Sequence, residues 1–489
     1  MQSSGRPRSA SGPVGAGLVV VAGLLVAVIS VYLLINPGGL PTYFYIGYVA
    51  RFVPLVFLGI VALVWPLLTL LLALVVMFGG GGIAELTRSL FPISPFWMLI
   101  ALTTGAQIAR NIHRNRAMPW GEGIILVLLA LGAAVYDLQP IEAASRGILL
   151  SLLLGLALVV ALGPIRAWRQ IVFVVVAMYV AFALLELQLM PFLIPSWGSG
   201  VGMLREQFSG LDSSLRQATS LDWLFNMMAI FALGVAVRLR GWPRMVFLAL
   251  FLVLAGSSIL TFSRGAYLGL GAGIVALLLV ERRGSYRGFM WVAVAIGLVA
   301  AVAYYSGAWT FNYDVRGLDR EVQAFQSGET TRLALLWDGV KEMPQHILIG
   351  RGAVGTPAHS ALLDIWNNYG GVFAVGIMSF LFVLFRRSYR MAKAAPEATS
   401  SPGGRAIALG LYCSFAAAIA NSLLDPTFFS LTFAVVFWVM RGLELAIWKS
   451  GLIAVSSLGR RTNYRTIHSQ PGGTQVSGQG AAGAGQPFS

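Results

Sequence analysis

Apolar runs near the roughly 20 residues that cross a bilayer as a helix recur along the chain. They fall at 14–35, 96–112, 122–138, 146–163, 169–190, 221–238, 244–262, 266–281, 288–306, 361–385, 405–424 and 428–448. Backbone polar groups in lipid must be satisfied within the segment, so runs of this length predict helices. A further stretch, 43–82, holds either one long helix or two short ones broken at Trp65-Pro66. The expected fold is all-α: a polytopic helical membrane protein of about 14 spans, within about 12 to 14.

The positions of the charges between the runs decide the undecided stretch. With one helix in 43–82, Arg110, Arg114 and Arg116 fall on the opposite side from Arg6 and Arg8. With two, every basic cluster shares one face, including Arg166/Arg169, Arg238/Arg240/Arg244, Arg282/Arg283/Arg287, the group from Arg386 to Arg405, and Arg460, Arg461 and Arg465. Basic residues are retained on the cytoplasmic side, so two helices are expected and both termini are cytoplasmic. The segments are then an N-terminus over 1–13, spans through 306 with an outer loop at 191–220, a long outer loop at 307–360, spans over 361–448, and a tail from 449. Its Gly-, Gln- and Ser-rich part, 466–489, reads as disordered. The first run has no small-x-small cleavage site and reads as a retained span rather than a signal peptide.

Composition agrees with this and changes the meaning of the charge. The 489 residues are 57% hydrophobic and 11% charged, with a formal net charge of +15. A soluble domain carries about 25% charged residues, so a soluble fold is excluded. In a soluble protein the basic pI of about 10.3 would point to nucleic acid. Here the excess is a topology signal, with about +19 inside and about −4 outside. No nucleic-acid partner is expected. The lone Cys413 lies in a predicted span and allows neither an intrachain disulfide nor a cysteine metal cluster.

Chemistry is therefore sought in the two long outer loops. Loops beyond about 15 residues usually carry function. In the larger one, Leu333, Leu336, Trp337 and Val340 fall at i, i+3, i+4 and i+7 after Thr330 and Thr331 and before Pro344. That spacing predicts an amphipathic helix; a helix lying on the membrane surface for packing alone is the competing reading. Of the four histidines, His346 and His359 are on the outer side. His359 precedes a helix entering the membrane and is a candidate proton acceptor, or a loop histidine bonded to backbone; His346 looks like a helix-end residue. Arg264 stands at the outer end of two spans, against the bias that empties that side of arginine, and is a functional candidate on that ground; snorkelling or pairing with a loop carboxylate is the alternative. Arg205, Arg216, Arg316, Arg320, Arg332 and Arg351 are weaker, because nearby carboxylates can neutralise them. Arginine grips phosphate through a planar, permanently charged fork, so an arginine pair can stabilise a pyrophosphate leaving group without a metal. The chain has no Asp-x-Asp pair of the kind that holds Mg²⁺ or Mn²⁺.

In order along the chain, these elements resemble the O-antigen ligase and polymerase family of bacterial membrane glycosyltransferases. The resemblance rests on Ser263-Arg264-Gly265-Ala266 at a span boundary, then Thr331-Arg332, Trp337, Pro344, Gly350-Arg351-Gly352, His359 and Gly370-Gly371. It covers roughly 205–385. Arg216, ten residues before Asn226, matches an arginine in the family's earlier outer loop, with Arg205 as the fallback. The chain departs from the family at Ser360, where an asparagine is common, and in the short gap between Gly352 and His359. The resemblance implies an inverting, metal-independent transferase in the bacterial inner membrane. Its donor would be a glycan on undecaprenyl pyrophosphate, taken up at the periplasmic face. Its acceptor would be lipid A core for a ligase, or another lipid-linked repeat for an O-antigen or exopolysaccharide polymerase. It implies that Arg216 and Arg264 hold the pyrophosphate and that His359 orients or deprotonates the acceptor hydroxyl. Arg332, Arg205, Arg351 and Trp337 would bind donor or brace the loop, and no cofactor is implied. A multispan transporter is the reading from another class; against it, no pair of interrupted spans recurs in two halves.

Overall fold

In the computed structural model the residues described are 57–78, 95–113, 119–137, 147–193, 218–260, 264–281, 332–352, 360–393, 402–424 and 430–450. All belong to the unit Met1–Val455. Among them only helix occurs. The helices are α1 (Pro66–Phe78), α2 (Pro95–His113), α3 (Trp120–Asp137), α4 (Gly147–Leu162), α5 (Trp168–Leu193), α6 (Ala218–Arg238), α7 (Trp242–Leu260) and α8 (Arg264–Val280). After them come α9 (Arg332–Glu342), a 3-10 turn (Met343–His346), α10 (Ala361–Tyr369), α11 (Gly371–Lys393), α12 (Pro402–Leu424) and α13 (Leu431–Ser450). Within α5, α11 and α12, the stretches Trp168–Leu185, Gly371–Lys393 and Pro402–Leu423 are long and apolar enough to cross a membrane; several other helices are apolar but shorter. The chain is a helical membrane protein.

One difference from the hydropathy reading, and one break that it expected, have physical causes. The run 361–385 is two helices. Gly370 between them has φ 92° and ψ 154°, a conformation essentially confined to glycine, and the membrane-crossing part begins at Gly371. At Trp65-Pro66 the chain turns. A helical stretch over 57–64 ends with the Trp65 N–H donating to Val61 O at 2.6 Å, and the next begins with Leu68 and Thr69 donating to Trp65 O. Pro66 has no N–H to carry the first ladder onward. Before the turn a Cβ on Gly59 would lie 4.0 Å from Leu102, and the Val64 carbonyl accepts from Arg110 of the same neighbouring helix. After it Phe78 reaches Phe182, with ring centroids 5.2 Å apart. The stretch before Trp65 therefore descends beside α2 and α1 climbs away again. Residues 14–35, 43–56 and 288–306 lie outside those described.

The centre of the bundle is α6, buried all round from Trp223 to Val237, chiefly against α12 and α7. Helices in lipid gain little from apolar burial and approach closely through small residues instead. At the α6–α12 crossing a Cβ on Gly234 would lie 2.7 Å from Gly410 Cα, so neither position has room for a side chain. One end of the bundle is closed by ion pairs. Arg238 Nε donates to Glu281 at 2.5 Å, and its other nitrogens donate to the carbonyls of Arg405 and Ala392. Nearby, Glu122 accepts from Arg387 at 2.6 Å and from Arg441 at 2.6 Å, and Arg441 is paired in turn with the buried Glu444. Burial lowers the pKa of Lys449 from its ordinary value; Arg166, Arg387 and Arg441 add to the shift and Glu122 opposes it.

Candidate functional site at the opposite end of the bundle

The ion-paired end fixes where the other end is. Arg238 closes α6, Glu281 follows α8, Ala392 is near the end of α11 and Arg405 is near the start of α12. The first residues of α6, α8 and α11 and the last of α12 therefore gather at the far end. An α-helix rises about 1.5 Å per residue, so Arg264 stands about 25 Å from Glu281. Arg264 is the first residue of α8, and no acidic residue follows in that first turn. Arg332 opens α9 in the same way, again with no acidic residue in the first turn. A helix N-terminus carries partial positive charge, and a cation placed there is unfavourable by about 0.3–1 kcal/mol unless an anion faces it.

Below the level of Arg264 three polar side chains are buried among apolar ones. Ser258, in the last turn of α7, donates to Asn226 Oδ1 of α6 at 2.6 Å, and both are fully buried. Asn421 of α12 is also buried and lies over Gly269, where a Cβ would come within 2.3 Å of its Oδ1. Gly269 follows Arg264 by less than two turns of α8. Asn226, matched to the family's asparagine at the start of the span after the expected outer loop, is the residue that accepts from Ser258.

Residues 332–352 and α10 form a second layer over the start of α11. α9 and the 3-10 turn offer backbone carbonyls inward: Asn367 Nδ2 donates to Gly339 O at 2.9 Å and Trp366 Nε1 to Met343 O at 3.0 Å. The strip Gly350-Arg351-Gly352 runs along the end of α10, with the Arg351 N–H donating to Asn367 O at 2.8 Å and the Gly352 N–H to Asn368 O at 3.1 Å. No side chain fits at Gly350, where a Cβ would lie 2.2 Å from Asn368 O. Arg351 is held by Glu342, Nη1 to Oε2 at 2.5 Å, and by Asn368 Oδ1 at 3.3 Å. Its charge is committed within the loop, so it braces the layer.

The expected amphipathic helix exists, with Leu336 half-buried and part of its apolar face turned outward. Trp337 and Val340 are exposed rather than packed inward, and Lys341 Nζ sits 5.8 Å from the Trp337 ring centroid. His346 closes the 3-10 turn, a helix-end residue as expected. Arg264 and Arg332 are placed by their backbone at the starts of α8 and α9. His359, Arg205 and Arg216 lie outside the described residues. Sequence reading missed Glu342, Asn367 and Asn368, which hold the layer together, and Asp364, buried in the first turn of α10. The available signal was the placing of Asp364, Asn367 and Asn368 at i, i+3 and i+4 inside an apolar run.

No family model matches the chain, and no curated protein matches it.

Proposed function

We propose that the protein is a membrane glycosyltransferase that moves a glycan from a polyprenyl pyrophosphate carrier to an acceptor hydroxyl at the face opposite the Arg238–Glu281 end. One observation carries this reading: Arg264 opens a helix at that end, against the helix dipole, and the expected topology sets it against the bias of charges across the membrane as well. An anionic ligand makes both placements favourable, since it meets the guanidinium fork and the unsatisfied N–H groups of the first turn together. Arg264, with Arg216, holds the pyrophosphate. The acceptor oxygen attacks the anomeric carbon from the side opposite the leaving group, the bond from that carbon to the pyrophosphate oxygen breaks, and the anomeric centre inverts. His359 takes the proton of the acceptor hydroxyl. The carrier leaves with both phosphates, their charge held by arginine in place of a metal.

In this reading the membrane is the bacterial inner membrane, with 14 spans, about +19 of charge on the cytoplasmic side and the active site in the periplasm. The acceptor is lipid A core, which makes the protein an O-antigen ligase. The test is the glycan profile of a deletion strain complemented with wild type, Arg264→Ala or His359→Ala. Loss of a ligase leaves polymer on the carrier and none on lipopolysaccharide. Single repeats still attached to lipid A core would make it a polymerase instead. Substrate flux in proteoliposomes with no covalent product would reject transfer altogether.

A further inference from the structure

Three consecutive apolar residues in the layer over α11 face away from the protein: Ile347 is 53% exposed, Leu348 73% and Ile349 71%. Monomeric soluble surfaces rarely keep such a run, because its contact with water is unfavourable. The strip is also fixed in place. The Ile347 carbonyl accepts from Val372 N–H at 3.2 Å, and the residues that follow it are bonded to the end of α10. A Cβ on Gly370 would lie 2.7 Å from Leu348 O, and one on Gly371 would lie 2.8 Å from Ile347 O. With its backbone clamped at these points, the strip has no route to turn its side chains inward.

What covers it follows from its neighbour. The bond to Val372 joins the strip to the first turn of α11, a helix long and apolar enough to cross the membrane. On α11 the exposed apolar residues Val372, Val375, Met378 and Phe382 recur at helical spacing. An exposed apolar stripe on a membrane-crossing helix faces lipid. Ile347, Leu348 and Ile349 extend that stripe sideways at its upper end. We propose that this strip is a lipid-contact surface, seated against the hydrocarbon of the bilayer leaflet at the Arg264 end. It fixes the height of the layer that Arg351 braces, and it stands whether or not the transferase reading does.

The test uses a spin label at Leu348→Cys in the full-length protein, reconstituted in vesicles of phosphatidylethanolamine and phosphatidylglycerol. Cys413 is buried and does not compete for the label. Val375→Cys on the lipid-facing stripe and Arg240→Cys in the exposed turn after α6 serve as references. Collisions with oxygen, which concentrates in hydrocarbon, and with a water-soluble nickel chelate are measured for each. The label at 348 is expected to favour oxygen several-fold, as at 375. A preference for the chelate, as at 240, overturns the proposal by placing the strip in water. Shielding from both reagents overturns it as well, by showing a protein partner over the strip.

Discussion

Gly370→Ala tests whether the layer over α11 is held as the backbone geometry requires. At φ 92° and ψ 154° a residue with a Cβ is strained by about 1–3 kcal/mol. The added methyl would also sit 2.7 Å from Leu348 O, a clash that displaces the strip and costs about 1–3 kcal/mol more. Even the lower ends of these ranges total about 2 kcal/mol, or roughly 30-fold in the equilibrium for local opening. Hydrogen exchange by mass spectrometry reads this directly at the Arg351, Gly352 and Val372 amides, whose bonds cross the junction. Exchange there should rise by roughly 30-fold or more while peptides of α6 and α12 stay protected. Gly105→Ala, in the interior of α2 with nothing within 4 Å of the added Cβ, is the control. It should be neutral or stabilising by up to about 1 kcal/mol. If Gly370→Ala exchanges at the wild-type rate across 347–372, the junction does not depend on glycine and the account of the layer is wrong.

Other outcomes follow from the two ends of the bundle. Arg264→Lys keeps a charge and loses the bidentate fork, so transfer should fall at least about tenfold with normal insertion; wild-type rates would mean that charge alone suffices. Arg351→Ala frees Glu342 and Asn368 and should lower transfer several-fold without abolishing it; a loss as complete as in Arg264→Ala would give Arg351 a direct contact with substrate. Glu122→Gln leaves Arg387 and the buried Arg441 without their shared carboxylate, and breaking a buried pair costs about 3–5 kcal/mol; an unchanged melting temperature in detergent would show that the network adds nothing. Transfer should survive EDTA, and activity restored only by Mg²⁺ would reject the arginine-held leaving group.

Hydropathy located the helices well where each was apolar along its whole length. The runs at 146–163 and 244–262 stand as Gly147–Leu162 and Trp242–Leu260, because a segment apolar throughout has its backbone polar groups satisfied in lipid only as a helix. It failed at 361–385, where Ile365, Trp366 and Tyr369 kept the mean apolar while Asp364, Asn367 and Asn368 turned to other uses. The partners of Asn367 and Asn368 lie before α10 in the chain, as Asn367 shows by donating to Gly339, 28 residues earlier. No window that averages neighbours reports such a bond. The same limit hid the Glu122 network, whose arginines lie 265 and 319 residues further along the chain. Arg264 was legible for the opposite reason. Its oddity is local: the expected topology puts this cation on the outer side, and the structure adds that it stands at the start of a helix, the unfavourable end of the dipole for a cation. An anion at the start of α8 would make both placements favourable, and the proposed pyrophosphate is such an anion.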